Sequence, residues 1–141
     1  MIAVDTNVLV YAHRQETALH RAARTRLTQL AEGNTTWAIP VFCLGEFLRV
    51  VTHPRVFDPP YSVDEACAAL ERVLESPSLR ILYPGERFWP LLADAVRQAG
   101  ASGNLAFDAQ LVAVCRESGI STFLTEDRDF ARFLEFSTTR L

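Results

Sequence analysis

The sequence predicts an α/β fold in three layers, α/β/α, around a central and mostly parallel sheet of four to five strands. Three observations predict it. Short apolar runs alternate with helical stretches along the whole chain, the pattern of a parallel sheet covered by helices on its faces. Acidic residues follow two of the apolar runs directly, as they do where a strand ends at a ligand-binding rim. No repeat, low-complexity segment or linker interrupts the 141 residues, so they are expected to form one domain spanning 1–141.

Each element follows from its local pattern. "IAVD" at the N-terminus is a buried strand, and Val8, Leu9 and Val10 behind it read as a strand end or a helix start. "TALHRAARTRLTQLAEG" places Leu19, Ala22, Ala23, Leu27 and Leu30 at helical spacing and stops at Gly33. "TTWAIP" is a second strand. After Pro40, "VFCLGEFLRVVTH" repeats Val41, Leu44, Leu48 and Val51 with helical period. "PRVFDPPY" is a loop, because its prolines remove donors and fix the backbone. Ser62 and Glu65 stand in capping-box spacing, so the next helix starts at about residue 63. "LRILYP" is a third strand, followed by helices in "GERFWPLLADAVRQAG" and "NLAFDAQLVAVCRESG", each closed by glycine. "STFLT" is a fourth strand, "DRDFARFL" a short helical turn and "EFSTTRL" a candidate edge strand.

Composition removes several function classes. No apolar run approaches the roughly 20 residues of a membrane span, and Asp5 interrupts the N-terminal apolar stretch. A cytoplasmic protein with no membrane association is expected. All 14 basic residues are arginine, which excludes lysine chemistry and leaves guanidinium forks suited to phosphate. The net charge of −3 supplies no global attraction to nucleic acid. Cys43, Cys67 and Cys115 are odd in number and far apart, and read as reduced thiols in helices. His13, His20 and His53 have no ligand-spaced partner and read as surface residues. Trp37 and Trp89 read as core or interface anchors rather than base-stacking platforms.

Four acids carry the candidate chemistry: Asp5 after the first strand, Glu46 in the apolar helix after Pro40, Asp108 in "NLAFDAQLVAV", and Asp127 after "TFLT". Each also has a purely structural reading. Glu46 can pair with Arg49 one turn on. Asp108 can bond Asn104, which lies one turn earlier on the same face. Asp127 can cap the turn it precedes, and Asp5 can accept from donors at a helix start. Together, acids at two strand ends and on two helices can converge on one rim, where their repulsion calls for a divalent cation. Oxygen-only ligands suit magnesium or manganese, and a carboxylate-held metal activates water at a phosphodiester. Arg14 and Arg128 are candidate contacts to substrate phosphate, with Arg21, Arg24, Arg26 and Arg132 as further rim cations. Most of these arginines read better as solvated helix faces.

"VDTNVLVYA", "GEF" after a proline, "GNLAFDAQLVA" and "FLTEDRDFARF", in this order, resemble a PIN-domain ribonuclease, and more closely the VapC toxins of toxin–antitoxin pairs. The loop "THPRVFDPP" resembles a segment of one VapC subgroup. The resemblance spans the chain and implies a PIN-like α/β/α fold. It also implies Mg2+- or Mn2+-dependent cleavage of RNA by water, leaving a 5′-phosphate and a 3′-hydroxyl. By motif match, Asp5 and Asp108 would hold the metal directly, and Glu46 and Asp127 directly or through water. Thr6, Asn7, Asn104 and Thr125 would position ligands, water or phosphate. Asp129 is a substitute for Asp127, although a helical turn starting at 127 would point it away. Implied partners are a VapB-like antitoxin, an RNA substrate and a second copy in a homodimer.

Alternative classes are a non-catalytic PIN-like module binding RNA or protein, and a solitary RNA-processing nuclease without an antitoxin. A receiver domain needs a late lysine and an acid after the middle strand, and neither is present. An aspartate-nucleophile phosphatase usually has a second acid two residues after the first, where this chain has Asn7.

Overall fold

A computed structural model describes residues 1–141. Five strands, β1 (Ile2–Val4), β2 (Trp37–Pro40), β3 (Leu79–Leu82), β4 (Thr122–Leu124) and β5 (Thr138–Thr139), form one sheet in the order β3-β2-β1-β4-β5. Every pairing is parallel, so the expected edge strand in "EFSTTRL" extends the sheet in the same sense. The helices are α1 (Thr6–His13), α2 (His20–Glu32), α3 (Val41–Val51), α4 (Val63–Leu74), α5 (Phe88–Ala99) and α6 (Leu105–Glu117). Val8 to Val10 thus belong to a helix, which starts one residue after Asp5 without an intervening loop.

The sheet grows leftward from β1 to β2 to β3, then crosses back to place β4 on the other side of β1. Parallel crossovers are right-handed, so α1 to α4 cover one face and α5 and α6 the other. The helix contacts divide accordingly, α1 on α2 and α3, α3 on α4, and α5 on α6. Val4, Val8, Trp37, Ile39, Phe47, Val112, Val114 and Phe123 are fully enclosed in the one core. The direction of strand order reverses between β1 and β4, where a doubly wound sheet opens a crevice at its carboxyl ends.

Local chemistry sets the boundaries. Ser62 Oγ accepts from Glu65 N and Glu65 Oε1 accepts from Ser62 N, both at 3.1 Å, so α4 starts at Val63 as its capping box requires. Gly100, at φ 58°, takes the left-handed conformation that closes α5. After β4, a 3-10 turn (Arg128–Arg132) is seated by Phe130, whose ring lies 5.0 Å from that of Phe123.

Expectations about the tryptophans, the histidines and one arginine meet different outcomes. Trp37 is buried in the core, and Trp89, 70% exposed, keeps only the interface alternative of its reading. The histidines are half-buried rather than superficial: Nδ1 of His13 and of His20 each donate to a main-chain carbonyl at 2.7 Å, from Leu9 and Tyr11. Arg14, expected to meet phosphate, is only 6% exposed. Its Nε donates to Glu16 at 2.7 Å and its Nη2 to the Pro59 carbonyl at 2.6 Å. Its guanidinium also packs on the rings of Phe57 and Tyr61, 4.4 and 4.6 Å from their centroids. It is a clamp between α1 and the proline loop, and its donors face away from solvent.

Candidate metal centre

Asp5 leaves β1 in extended conformation and caps α1, its Oδ1 accepting from Thr6 N at 2.7 Å. Oδ2 accepts from Thr125 Oγ1 at 2.6 Å and from Asn7 Nδ2 at 3.0 Å. Thr125, the residue after β4, is the hub of this layer. Its hydroxyl oxygen also accepts from Asn7 Nδ2 at 3.2 Å and from Asp127 N at 3.0 Å. Asn7 closes the network, with Oδ1 accepting from Glu126 N at 3.3 Å. β1 and β4 lie side by side with Val4 opposite Leu124, so their two following residues must meet, and a short polar network is the way to bury them.

Glu46 reaches the same rim from α3, where Oε2 accepts from Thr6 Oγ1 at 3.1 Å. Its other oxygen stands 3.8 Å from Arg49 Nη2, a long exposed pair of little energetic weight. Asp108, on the first turn of α6, approaches from the opposite face. Carboxylate oxygens of Asp108, Asp127 and Asp129 lie within 4.8 Å of one another. An open cleft of about 710 Å3 joins Glu46, Asp108, Asp127 and Asp129 with Asn104, Arg49 and Gln110. Asn104 precedes α6, makes no side-chain capping bond and lines the cleft together with Asp108.

Asp129 is a further correction. It faces the cluster because Asp127 is in extended backbone, outside the helical turn, with Oδ1 accepting from Asp129 N at 2.8 Å. The helical-wheel argument that turned it away does not apply across that cap. Arg128 is exposed on the 3-10 turn and outside the cleft lining. Arg21 and Arg24 lie on the exposed face of α2, and Arg132 donates to the Ala99 carbonyl. The cleft-facing guanidinium is that of Arg49, read from sequence only as an ion-pair partner; its i,i+3 spacing from Glu46 was the available signal.

The electrostatics are those of crowded, partly desolvated anions. Burial lifts the Asp5 carboxyl to about 6; hydrogen bonds from Thr125 and Thr6 oppose the rise, and the charges of Glu46 and Asp127 add to it. Burial likewise lifts Asp108 to about 7, with Asp127, Asp5, Asp129 and Glu46 all pushing the same way. None of Asp5, Asp108, Asp127 and Asp129 has a salt-bridge partner. This donor set is oxygen-only and anionic, and it fits a hard divalent cation such as magnesium or manganese. Cys43 and Cys115 are enclosed in the core with thiols raised by burial, so the centre has no sulfur ligand to offer a softer metal.

The chain matches the family model described as PIN domain over residues 2–134. Ribonuclease VapC43 of Mycobacterium tuberculosis is 41% identical over 133 residues, covering 94% of this chain and 90% of that protein. VapC ribonuclease Mb2897 of Mycobacterium bovis matches to the same extent. Among solved structures, VapBC2 from Rickettsia felis, bound to a DNA fragment from its promoter, superposes with a TM-score of 0.71 at 21% identity, covering 99% of this chain and 98% of that one. VapC20 of Mycobacterium tuberculosis, described as a sarcin-ricin loop cleaving toxin, superposes at 0.67 with 22% identity, covering 96% and 98%. These two likenesses carry the fold.

Proposed function

The chain belongs to the PIN-domain family, among the VapC ribonucleases, and on that premise we propose that it is a divalent-metal-dependent endoribonuclease, the toxin of a toxin–antitoxin pair. The observation that carries this reading is the unneutralised cluster of Asp108, Asp127 and Asp129, with oxygens within 4.8 Å, beside the buried Asp5.

Asp5 and Asp108 hold the cation, Mg2+ or Mn2+, directly, and Glu46 and Asp127 directly or through water. Asp129 adds a further oxygen from the same turn. When bound, the cation supplies Lewis acidity at a phosphoryl oxygen and lowers the pKa of a water. The protein supplies the frame. Thr125 and Asn7 hold Asp5 Oδ2 in one orientation, Thr6 ties Glu46 to the start of α1, and Asn104 lines the mouth of the cleft. Such supporting bonds fix the direction of a ligand's lone pairs. Arg49 lies where a phosphate oxygen can meet a guanidinium.

A VapB-like antitoxin is the expected partner, since solved neighbours include VapBC complexes from Rickettsia felis and Haemophilus influenzae. An arginine from that partner could neutralise the carboxylates and exclude the cation. A homodimer and a cytoplasmic location complete the reading; no helix is long and apolar enough to cross a membrane. The test is RNA cleavage by purified protein with Mg2+ or Mn2+, with EDTA, and as Asp5→Asn and Asp108→Asn. Activity that needs the metal and disappears in both variants supports the reading. Activity that survives both substitutions belongs to a contaminant and defeats it.

A further inference from the structure

Glu126 stands in sequence between two residues of the acid centre, yet its carboxylate takes no part in the cleft lining. Thr125 bonds Asp5, Asp127 lines the cleft, and Glu126 between them reaches residues 140 and 141. Its side chain is 9% exposed, and its charge is met there. Arg140 Nε and Nη2 both donate to Oε2, at 3.1 and 2.6 Å, and Leu141 N donates to Oε1 at 2.8 Å. The sheet alone gives this corner little hold. β5 is two residues long, and Thr125 N donates to the Thr139 carbonyl at 3.0 Å. Beyond Thr139 the Glu126 side chain continues the attachment.

The main chain of Glu126 faces the other way. Its N–H donates to Asn7 Oδ1 at 3.3 Å. That bond selects the orientation of the Asn7 amide. With the oxygen toward Glu126, the amide nitrogen donates to Asp5 Oδ2 at 3.0 Å and to Thr125 Oγ1 at 3.2 Å. A reversed amide would set its oxygen against the Asp5 carboxylate, two acceptors with no proton between them.

We infer that Glu126 and Arg140 are positioning residues for the metal centre: their pair pins the 125–127 turn to residues 140–141, which keeps Asn7 oriented on Asp5 and Asp127 at the cleft. The inference rests on the divalent-metal reading and adds two residues that line no part of the cleft. An exposed ion pair is worth little. Here the carboxylate is enclosed, and without Arg140 it is drawn toward water and takes the turn with it. Electrostatics alone predicts the opposite result. Deleting the Arg140 charge leaves the acid centre more negative, which by itself tightens its hold on a cation.

The sign of one measurement therefore decides. Mn2+ is titrated calorimetrically into the full chain, Arg140→Gln and Arg140→Lys. Arg140→Gln should weaken Mn2+ binding by about three- to tenfold, below the range for loss of a bond made directly to a ligand. Arg140→Lys keeps the charge and a donor, so its smaller loss is one of geometry, and it carries the test if Arg140→Gln does not fold. With RNA, the Mn2+ concentration giving half the maximal rate should rise in step, while KM for RNA stays within about twofold. Thermal melts in EDTA read the fold separately. A lowered melting temperature with Mn2+ affinity unchanged or tighter in the folded variants makes the pair a clamp for stability and overturns the inference. If the unsubstituted chain binds no Mn2+, the metal reading falls and the inference with it; if it binds Mn2+ and the folded variants bind it as well, the inference alone falls.

Discussion

Helix α1 carries a buried charge at each end, and the two are treated in opposite ways. Asp5 caps its N-terminus at 5% exposure and Arg14 its C-terminus at 6%. Arg14 is fully answered by protein: an ion pair with Glu16, the Pro59 carbonyl and two aromatic faces. Asp5 receives neutral donors only, and the charges that bear on it are further acids. A fold that can neutralise one buried charge so completely has left the other short of a cation. The difference is the one expected between a residue held for stability and the chemical role proposed for Asp5.

The largest effect that tests this contrast is on turnover. Asp5→Asn and Asp108→Asn should each lower RNA cleavage about a thousandfold or more, the loss of several kcal/mol of charge stabilisation. Asp108→Asn should at the same time raise the melting temperature of the metal-free protein at pH 8 by a few degrees, because it removes one of several repelling charges. At the other end of the helix, Arg14→Met should destabilise the fold by about 2–4 kcal/mol, read by urea unfolding. Cleavage per folded molecule should stay within about twofold. A raised KM in folded Arg14→Met would break the contrast by returning Arg14 to the substrate.

Thr125→Val sits between these extremes. It deletes the donor to Asp5 and the acceptor for Asn7 and Asp127. We expect a loss of about 1–3 kcal/mol in stability and about 10–100-fold in metal affinity or activity. Titration calorimetry with Mn2+ and cleavage assays check the two parts.

Acidity sharpens the comparison further. The Asp5 and Asp108 carboxyls sit near 6 and 7 against an ordinary value of 3.8. The folded chain therefore holds protons that the unfolded chain has lost between about pH 4 and 7, and stability of the metal-free protein falls as pH rises through that window. Thermal melts in EDTA should show this slope. A saturating divalent cation should reverse it, since binding requires the deprotonated carboxyls and adds about 2.7 kcal/mol at a hundred times Kd. The smallest expected change is in Asp129→Asn, which should weaken Mn2+ binding by less than tenfold if Asp127 is the main ligand of that turn.

Much of this arrangement was legible before any coordinates. Alternating apolar and helical runs gave the parallel α/β architecture, and the Ser62–Glu65 pair located the start of α4, because such signals act over one turn. Asp5 and Asp127 were legible as strand-end acids for the same reason. What escaped were consequences of distant packing. Nothing near Arg14 announces that Phe57, Pro59 and Tyr61 fold back over it. The direction of Asp129 depends on whether Asp127 is inside or outside a helical turn, which a hydrogen bond of 2.8 Å decides. Trp89 read as a core or an interface anchor because it sits among apolar neighbours, and only the placement of α5 at the outer face removes the first alternative.

The pairing of β1 with β4 has a consequence in time. Residues 2–4 lie against residues 122–124, and Asp5 is oriented by Thr125 across 120 positions of sequence. During synthesis the first strand must wait for nearly the whole chain before its neighbour arrives. A nascent copy that still lacks residues 122–125 has no Thr125 to orient Asp5, so the acid pocket is completed only when those late residues emerge and dock.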